Sequence, residues 1–208
     1  MVFGTIAMDL GNDKLKATAE KFGFNSKIPS PDIYISESKF PKLENYEVGN
    51  IAQSGIGQSS VVATPMQMAL VAATIANNGV MMKPLIMKEI LSSGGRTVKS
   101  MKPEPVQTVI SKDNAAIIKD YMKSLVDDKM KRDWKKVFNG TNAAGKTGTA
   151  DYKLPNGKDA EPHSWFIGFA PADNPQVAIA VIVENGGLGG VAAAQVAGKV
   201  LKTALKVK

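Results

Sequence analysis

No cysteine occurs among the 208 residues, and histidine occurs once, at position 163. The first absence excludes disulfides, thiolate catalysis and cysteine-ligated metal. The second leaves too few imidazoles for a histidine metal site or a Ser-His-Asp triad. A serine nucleophile in this chain would therefore draw on lysine as its base. Long apolar runs are missing too. Nothing approaches the roughly 18 to 20 consecutive residues that span a bilayer. The first residues also lack the charged-apolar-small order of a signal peptide, so any membrane anchor is expected outside this chain.

What is present is an ordinary globular composition with a basic balance. The 44% hydrophobic fraction supplies a core for one domain, or for most of a larger one. Lysine and arginine outnumber acidic residues 26 to 19, a net charge of +7. The lysines are scattered, without a dense basic run interleaved with aromatics, so no nucleic-acid partner is expected. A solvated basic surface, or attraction to an anionic cell wall, accounts for the charge.

Periodicity and turn residues divide the chain. Residues 12–24 read as an amphipathic helix with Asn12 or Asp13 as cap and Gly23 as stop. Residues 25–57 read as loop, with Pro29, Pro31 and Pro41. Thr64-Pro65 opens a helix to about Ile75, ended by Asn77-Asn78-Gly79. Residues 81–109 read as extended segments around a turn at Ser92-Ser93-Gly94-Gly95. Ser111 caps a helix to about Val126, with Ala115, Ile118, Met122 and Leu125 on its apolar face. Residues 129–136 read as a solvated charged stretch. Residues 143–152, 164–170 and 177–184 read as three strands of an antiparallel sheet, and residues 191–205 as a final helix. Met66, Met68, Met81 and Met82 read as core filler.

Several ordered motifs run through these elements. Gly55-Ile56-Gly57-Gln58 precedes Thr64-Pro65-Met66-Gln67-Met68-Ala69. Gly145-Lys146-Thr147-Gly148-Thr149-Ala150 opens the first strand, and His163-Ser164-Trp165-Phe166-Ile167-Gly168-Phe169-Ala170-Pro171 forms the second. Gly186-Gly187-Leu188-Gly189-Gly190 precedes the last helix. Lys146-Thr147-Gly148 resembles the K-T-G element of penicillin-binding proteins and serine β-lactamases. As an ordered set the motifs resemble the transpeptidase domain of penicillin-binding proteins, and the His163 to Pro171 wording resembles the monofunctional (class B) branch.

The resemblance implies an α/β (α+β) fold in which an antiparallel sheet is flanked by helices. It also implies that residues 1–208 form the C-terminal part of one domain. Residues 2–15 are similar to the segment immediately after the family's Ser-x-Asn motif. The N-terminal strands, the Ser-x-x-Lys helix and the Ser-x-Asn loop are accordingly expected outside this chain. Ser36-Glu37-Ser38-Lys39 matches Ser-x-x-Lys formally. It lies between Pro31 and Pro41 without a helical period and reads as a coincidental surface match.

By the same resemblance the chemistry is acyl transfer through a serine ester, with a D-Ala-D-Ala stem peptide as donor and β-lactam antibiotics as its mimics. Lys146 supplies a cation for the donor carboxylate and the proton network. Thr147 gives that carboxylate a hydroxyl, and Gly148 lets the donor lie along the strand edge. The Thr149 N–H forms half of an oxyanion hole. No cofactor and no metal are implied. A D,D-carboxypeptidase or β-lactamase, a β-lactam sensor and a pseudoenzyme scaffold are the alternatives. The parent protein is expected on the outer face of the bacterial cell membrane, with a polytopic glycan polymerase as partner. The fragment alone is expected to be inactive. The edge of the third strand is expected to be bare unless a second copy or an upstream piece covers it. Gln58 and Thr64 are expected to fix a loop and cap a helix. Trp165 and Phe166 are expected in the core, alternation sending one of them inward. His163 is expected to be structural.

Overall fold

The computed structural model describes residues 2–207. It opens with two helices, α1 (Val2–Leu10) and α2 (Asn12–Lys21), joined at Gly11, whose φ of 77° suits glycine. Neither Asn12 nor Asp13 caps α2; Gly11 occupies that place and offers no side chain. Asn12 is buried instead, donating to the Pro41 carbonyl at 3.2 Å and accepting from the Leu43 amide at 2.9 Å. A tertiary use of both amide ends has displaced the local one.

Next comes α3 (Val48–Ser54), inside the stretch expected to be loop; it buries only Ile51 and Ser54, too little for a periodic signal. In α4 (Pro65–Ala76) the expected start holds, with Thr64 Oγ1 accepting from the Gln67 amide at 3.1 Å. Its end is marked by Asn78 and Gly79, both at positive φ.

The region expected to be extended forms two small antiparallel pairs. Strand β1 (Val80–Met82) pairs with β4 (Pro105–Thr108). Strands β2 (Glu89–Leu91) and β3 (Thr97–Ser100) make a hairpin closed by the Ser92 amide on the Arg96 carbonyl. Asp32 ties this region back to the loop before it. Its Oδ2 accepts from the amides of Met87 at 2.6 Å and Ile86 at 2.9 Å, and its Oδ1 accepts from the Ser30 hydroxyl. These donors, Met87 first, hold the carboxyl below its ordinary range. The folded state therefore favours the ionised form. The stability this gives is present above the ordinary carboxylate value, about 4, and is lost as pH falls through the lower folded value. Amide exchange at Ile86 and Met87, measured downward from about pH 6, should lose its protection below about pH 4. Asp32→Asn should show weak protection at every pH. Unchanged protection in that variant would remove Asp32 as the anchor.

Ser111 caps α5 (Lys112–Met130) through the Asn114 amide, as expected, and the short α6 (Lys135–Phe138) follows. The stretch expected to be a solvated charged face contains the core's largest fully buried side chain, Trp134, at 1% exposure. The charged residues around it point outward, and a single aromatic among them leaves no period to read. Met66 is likewise corrected, being exposed rather than core, whereas Met81 is buried.

The main sheet comprises β5 (Ala144–Ala150), β6 (His163–Ala170) and β7 (Val177–Val183), antiparallel in the order β5-β6-β7. Helix α7 (Ala192–Ala204) closes the chain. Register places Thr147, Phe166 and Val181 in one row and Gly148, Trp165 and Ile182 in the next, so the two rows face opposite sides. On the Phe166 side the sheet packs against α7 and α6 through Ala193, Ala197, Leu201, Val137 and Phe138. Trp134, Phe138 and Phe166 meet there with ring centroids 5.1 to 5.9 Å apart. Each ring contributes roughly 1.5–3 kcal/mol by burial. On the opposite side α4 and α5 cover one end of the sheet, joining Ile75 and Met122 to Ala144 and Phe169. The other end of that side, from Lys146 to Ala150, is left open.

Candidate functional site

The open end is a cleft of about 530 Å³ with Lys146, Thr147, Gly148 and Thr149 on its wall. Trp165 and His163 of β6 line it from the sheet, and Gly57 and Val62 from the facing loops. All four expected site residues are thus brought together on consecutive positions of one strand.

Two side chains reveal how that strand is oriented. Gln58 Nε2 donates to the Thr149 carbonyl at 3.0 Å, and Lys146 Nζ donates to the Thr147 carbonyl at 2.6 Å. In an antiparallel ladder a residue's N–H and C=O point the same way, alternating between the two strand edges. The carbonyls of Thr147 and Thr149 are taken from outside the ladder, so their amides also open toward the free edge of β5. A backbone donor is therefore presented by Thr149 at the free edge of β5.

Lys146 is exposed and, among the described residues, forms no salt bridge. It stands as a solvent-facing cation at the cleft. Gly148 sits tightly on β6: a Cβ there would lie 3.2 Å from the Trp165 Cβ. Gly145 is tighter, since its Cβ would fall 2.2 Å from the Phe166 ring.

The turn after β7 backs the site from behind. Gly189 N donates to Thr149 Oγ1 at 3.3 Å. Ser164 Oγ donates to the Leu188 carbonyl and accepts from the Ala193 amide, both at 3.0 Å, and Trp134 Nε1 donates to the Gly190 carbonyl at 2.9 Å. The backbone of this turn passes so close to the strand that a Cβ on Gly189 would lie 2.1 Å from the Gly148 carbonyl oxygen.

Gln58 does fix a loop, and the structure shows that it fixes that loop to the site strand. Ninety-one residues separate the pair, so no local signal marks it. Trp165 faces the cleft and only Phe166 enters the core. Alternation foretold that one would turn inward, and the α7 layer decides which. The Ser36 to Lys39 stretch is not helical: Lys39 bridges Val62, and its ammonium meets Glu37 Oε2 at 2.6 Å. Ser38 is buried, its hydroxyl accepting from the Thr64 amide. Serine and lysine are not one helical turn apart here, so the lysine is not placed to take the serine proton.

Known proteins share the sequence pattern and the fold of this chain. A family model for the penicillin binding protein transpeptidase domain matches residues 1–202. A peptidoglycan D,D-transpeptidase PbpA of Mycolicibacterium smegmatis is 34% identical over 98% of this chain and 41% of its own length. The crystal structure of PBPA from Mycobacterium tuberculosis superposes with a TM-score of 0.85 at 31% identity, over 98% of this chain and 46% of that one. Its ceftriaxone acyl-enzyme complex superposes at 0.88, again at 31% identity, over 98% and 45%. The chain thus spans about two-fifths of the length of the PbpA relatives it matches.

Proposed function

The chain belongs to the penicillin-binding protein transpeptidase family, and on that premise we propose that it is the C-terminal part of a single D,D-transpeptidase domain that cross-links peptidoglycan. The observation that carries this is the free edge of β5, where Lys146 to Thr149 line the cleft and the Thr147 and Thr149 carbonyls turn outward.

In this reading the stem peptide adds to β5 as a further strand, with Gly148 leaving room beside it. Lys146 and the Thr147 hydroxyl hold the terminal carboxylate. A serine oxygen, its proton passed to a lysine amine, attacks the penultimate D-Ala carbonyl. Negative charge gathers on the carbonyl oxygen, which the Thr149 N–H stabilises. The C–N bond then breaks, the departing D-alanine amine takes a proton, and an acceptor amine resolves the ester. β-Lactams enter by the same route; the mycobacterial relative forms acyl-enzyme complexes with ceftriaxone and penicillin G.

The serine is supplied by a segment outside residues 1–208, because the Ser-x-x-Lys stretch of this chain is neither helical nor in the cleft. Strand β7 has one strand neighbour among the described residues. Its free edge is where that segment, or a second copy, adds a strand. The parent protein acts outside the cytoplasm, anchored through a segment outside this chain, and works beside a glycan polymerase.

Intact-mass measurement after exposure to a β-lactam tests the reading. It is run on this chain and on one extended upstream through the nucleophile. A covalent adduct on the extended chain alone is expected. An adduct on residues 1–208 would reveal a nucleophile within them, Ser36 first, and overturn the assignment. No adduct on either would favour a scaffold that keeps the fold without the chemistry.

A further inference from the structure

We infer that His163 is a positioning residue for Thr149, acting through the turn of residues 185–190. Four hydrogen bonds and a ring contact carry this. His163 Nδ1 accepts from the Asn185 amide at 3.1 Å. The imidazole stacks on Tyr152 with centroids 4.5 Å apart and planes 23° apart. The Tyr152 hydroxyl in turn donates to Asn185 Oδ1 at 2.6 Å. The three residues form a closed ring at the ends of all three strands: Tyr152 leaves β5, His163 starts β6 and Asn185 leaves β7.

Asn185 is held on both its amide and its side chain, with φ at 54°, a left-handed conformation that asparagine tolerates best among non-glycine residues. From this fixed corner the turn runs through Gly187, whose amide donates to the Pro162 carbonyl at 3.0 Å, to Gly189. The Gly189 amide holds Thr149 Oγ1. One path of hydrogen bonds therefore leads from the imidazole to the residue whose backbone N–H faces the free edge of β5.

The path depends on protonation. Nδ1 accepts the Asn185 hydrogen only while it is bare; a protonated imidazole has donors on both nitrogens and no acceptor. Protonation also sets two N–H groups against each other at 3.1 Å. The titratable groups placed around the ring are Tyr152 stacked on it, Asp151 and Glu184 at the exits of β5 and β7, Glu161 two residues before it, and Lys146 on the cleft face of β5. The significance for catalysis rests on reading Thr149 as the oxyanion donor. The coupling itself does not.

Because the chain has one histidine, nuclear magnetic resonance of the free chain isolates its titration. Imidazole nitrogen shifts and backbone amide shifts would be followed as pH is varied. The Nε2–H tautomer is expected at high pH. The amides of Asn185, Gly189 and Thr149 should move together with the imidazole midpoint. His163→Asn places an untitrating acceptor oxygen near Nδ1 and should abolish the common titration of those amides while keeping the Asn185 hydrogen bond. His163→Phe keeps the stack and should leave them at positions that do not titrate. An Nδ1–H tautomer, or an Asn185 amide that titrates while Gly189 and Thr149 stay flat, would overturn the inference. No substrate is involved, so this result and the mass-spectrometric one can fail independently.

Discussion

Replacing Lys146 by alanine, in a chain extended to include the nucleophile, should slow β-lactam acylation by about 10²- to 10³-fold. That corresponds to roughly 3–4 kcal/mol, the usual cost of removing one electrostatic partner of the transition state. Two features of the site support so large an effect. The ammonium is the cation presented on the β5 wall of the cleft, and it sits one residue from the outward carbonyl of Thr147. Its contribution also grows as the donor displaces water from the cleft. Because Lys146 is exposed and supports no core contact, thermal stability should move by no more than about 0.5 kcal/mol. Arginine should restore only part of the rate, since its planar fork does not reproduce a compact point charge. Second-order acylation rates measured on the two variants decide the matter. An alanine variant within a few fold of the parent would remove Lys146 from the carboxylate and proton network.

Gly189→Ala should damage both stability and the site. A methyl group there would lie 2.1 Å from the Gly148 carbonyl oxygen and 2.8 Å from that of Trp165. Both obstacles are backbone, so neither can swing aside. The turn must lift or β5 must shift, and either movement breaks the Gly189 hydrogen bond to Thr149. Overpacking of this kind costs about 1–3 kcal/mol. A displacement near 1 Å at Thr149, the proposed oxyanion donor, is enough to reduce acylation about 100-fold. Chemical denaturation of this chain and acylation of the extended chain measure the two effects separately. Gly94→Ala is the control, because a Cβ there meets nothing within 4 Å. Equal behaviour of the two variants would mean that the turn yields without cost.

The range of each interaction decided which features could be read from the sequence and which could not. The starts of α4 and α5 were readable because Thr64 and Ser111 cap amides three residues on. The three strands were readable because alternation and turn residues are local. Helices α1 and α3 were missed: the first buries only Ala7 and leaves Val2, Phe3, Ile6 and Leu10 exposed, and the second is seven residues long. Trp134 was hidden because its burial depends on Phe166 and Gly190 arriving from elsewhere. In the site, the motif named the strand, but its supports are long-range pairs. Gln58 on Thr149, Gly189 on Thr149 and Asn185 on His163 join residues 22 to 91 positions apart. Nothing in the neighbourhood of either partner signals such a pair.

The order of the main sheet is also the order of its strands along the chain. Closing each hairpin therefore fixes only a short loop, and loop-closure entropy is small for such lengths. With α6 before it and α7 after it, the sheet and its larger core cluster lie within residues 125–208. Low contact order of this kind favours early, rapid assembly. The lobe that brings Gln58 to the cleft must instead be recruited from nearly a hundred residues away. The strand that carries Lys146 to Thr149 is thus expected to be in register before its facing wall arrives, with the cleft taking its final shape late in folding.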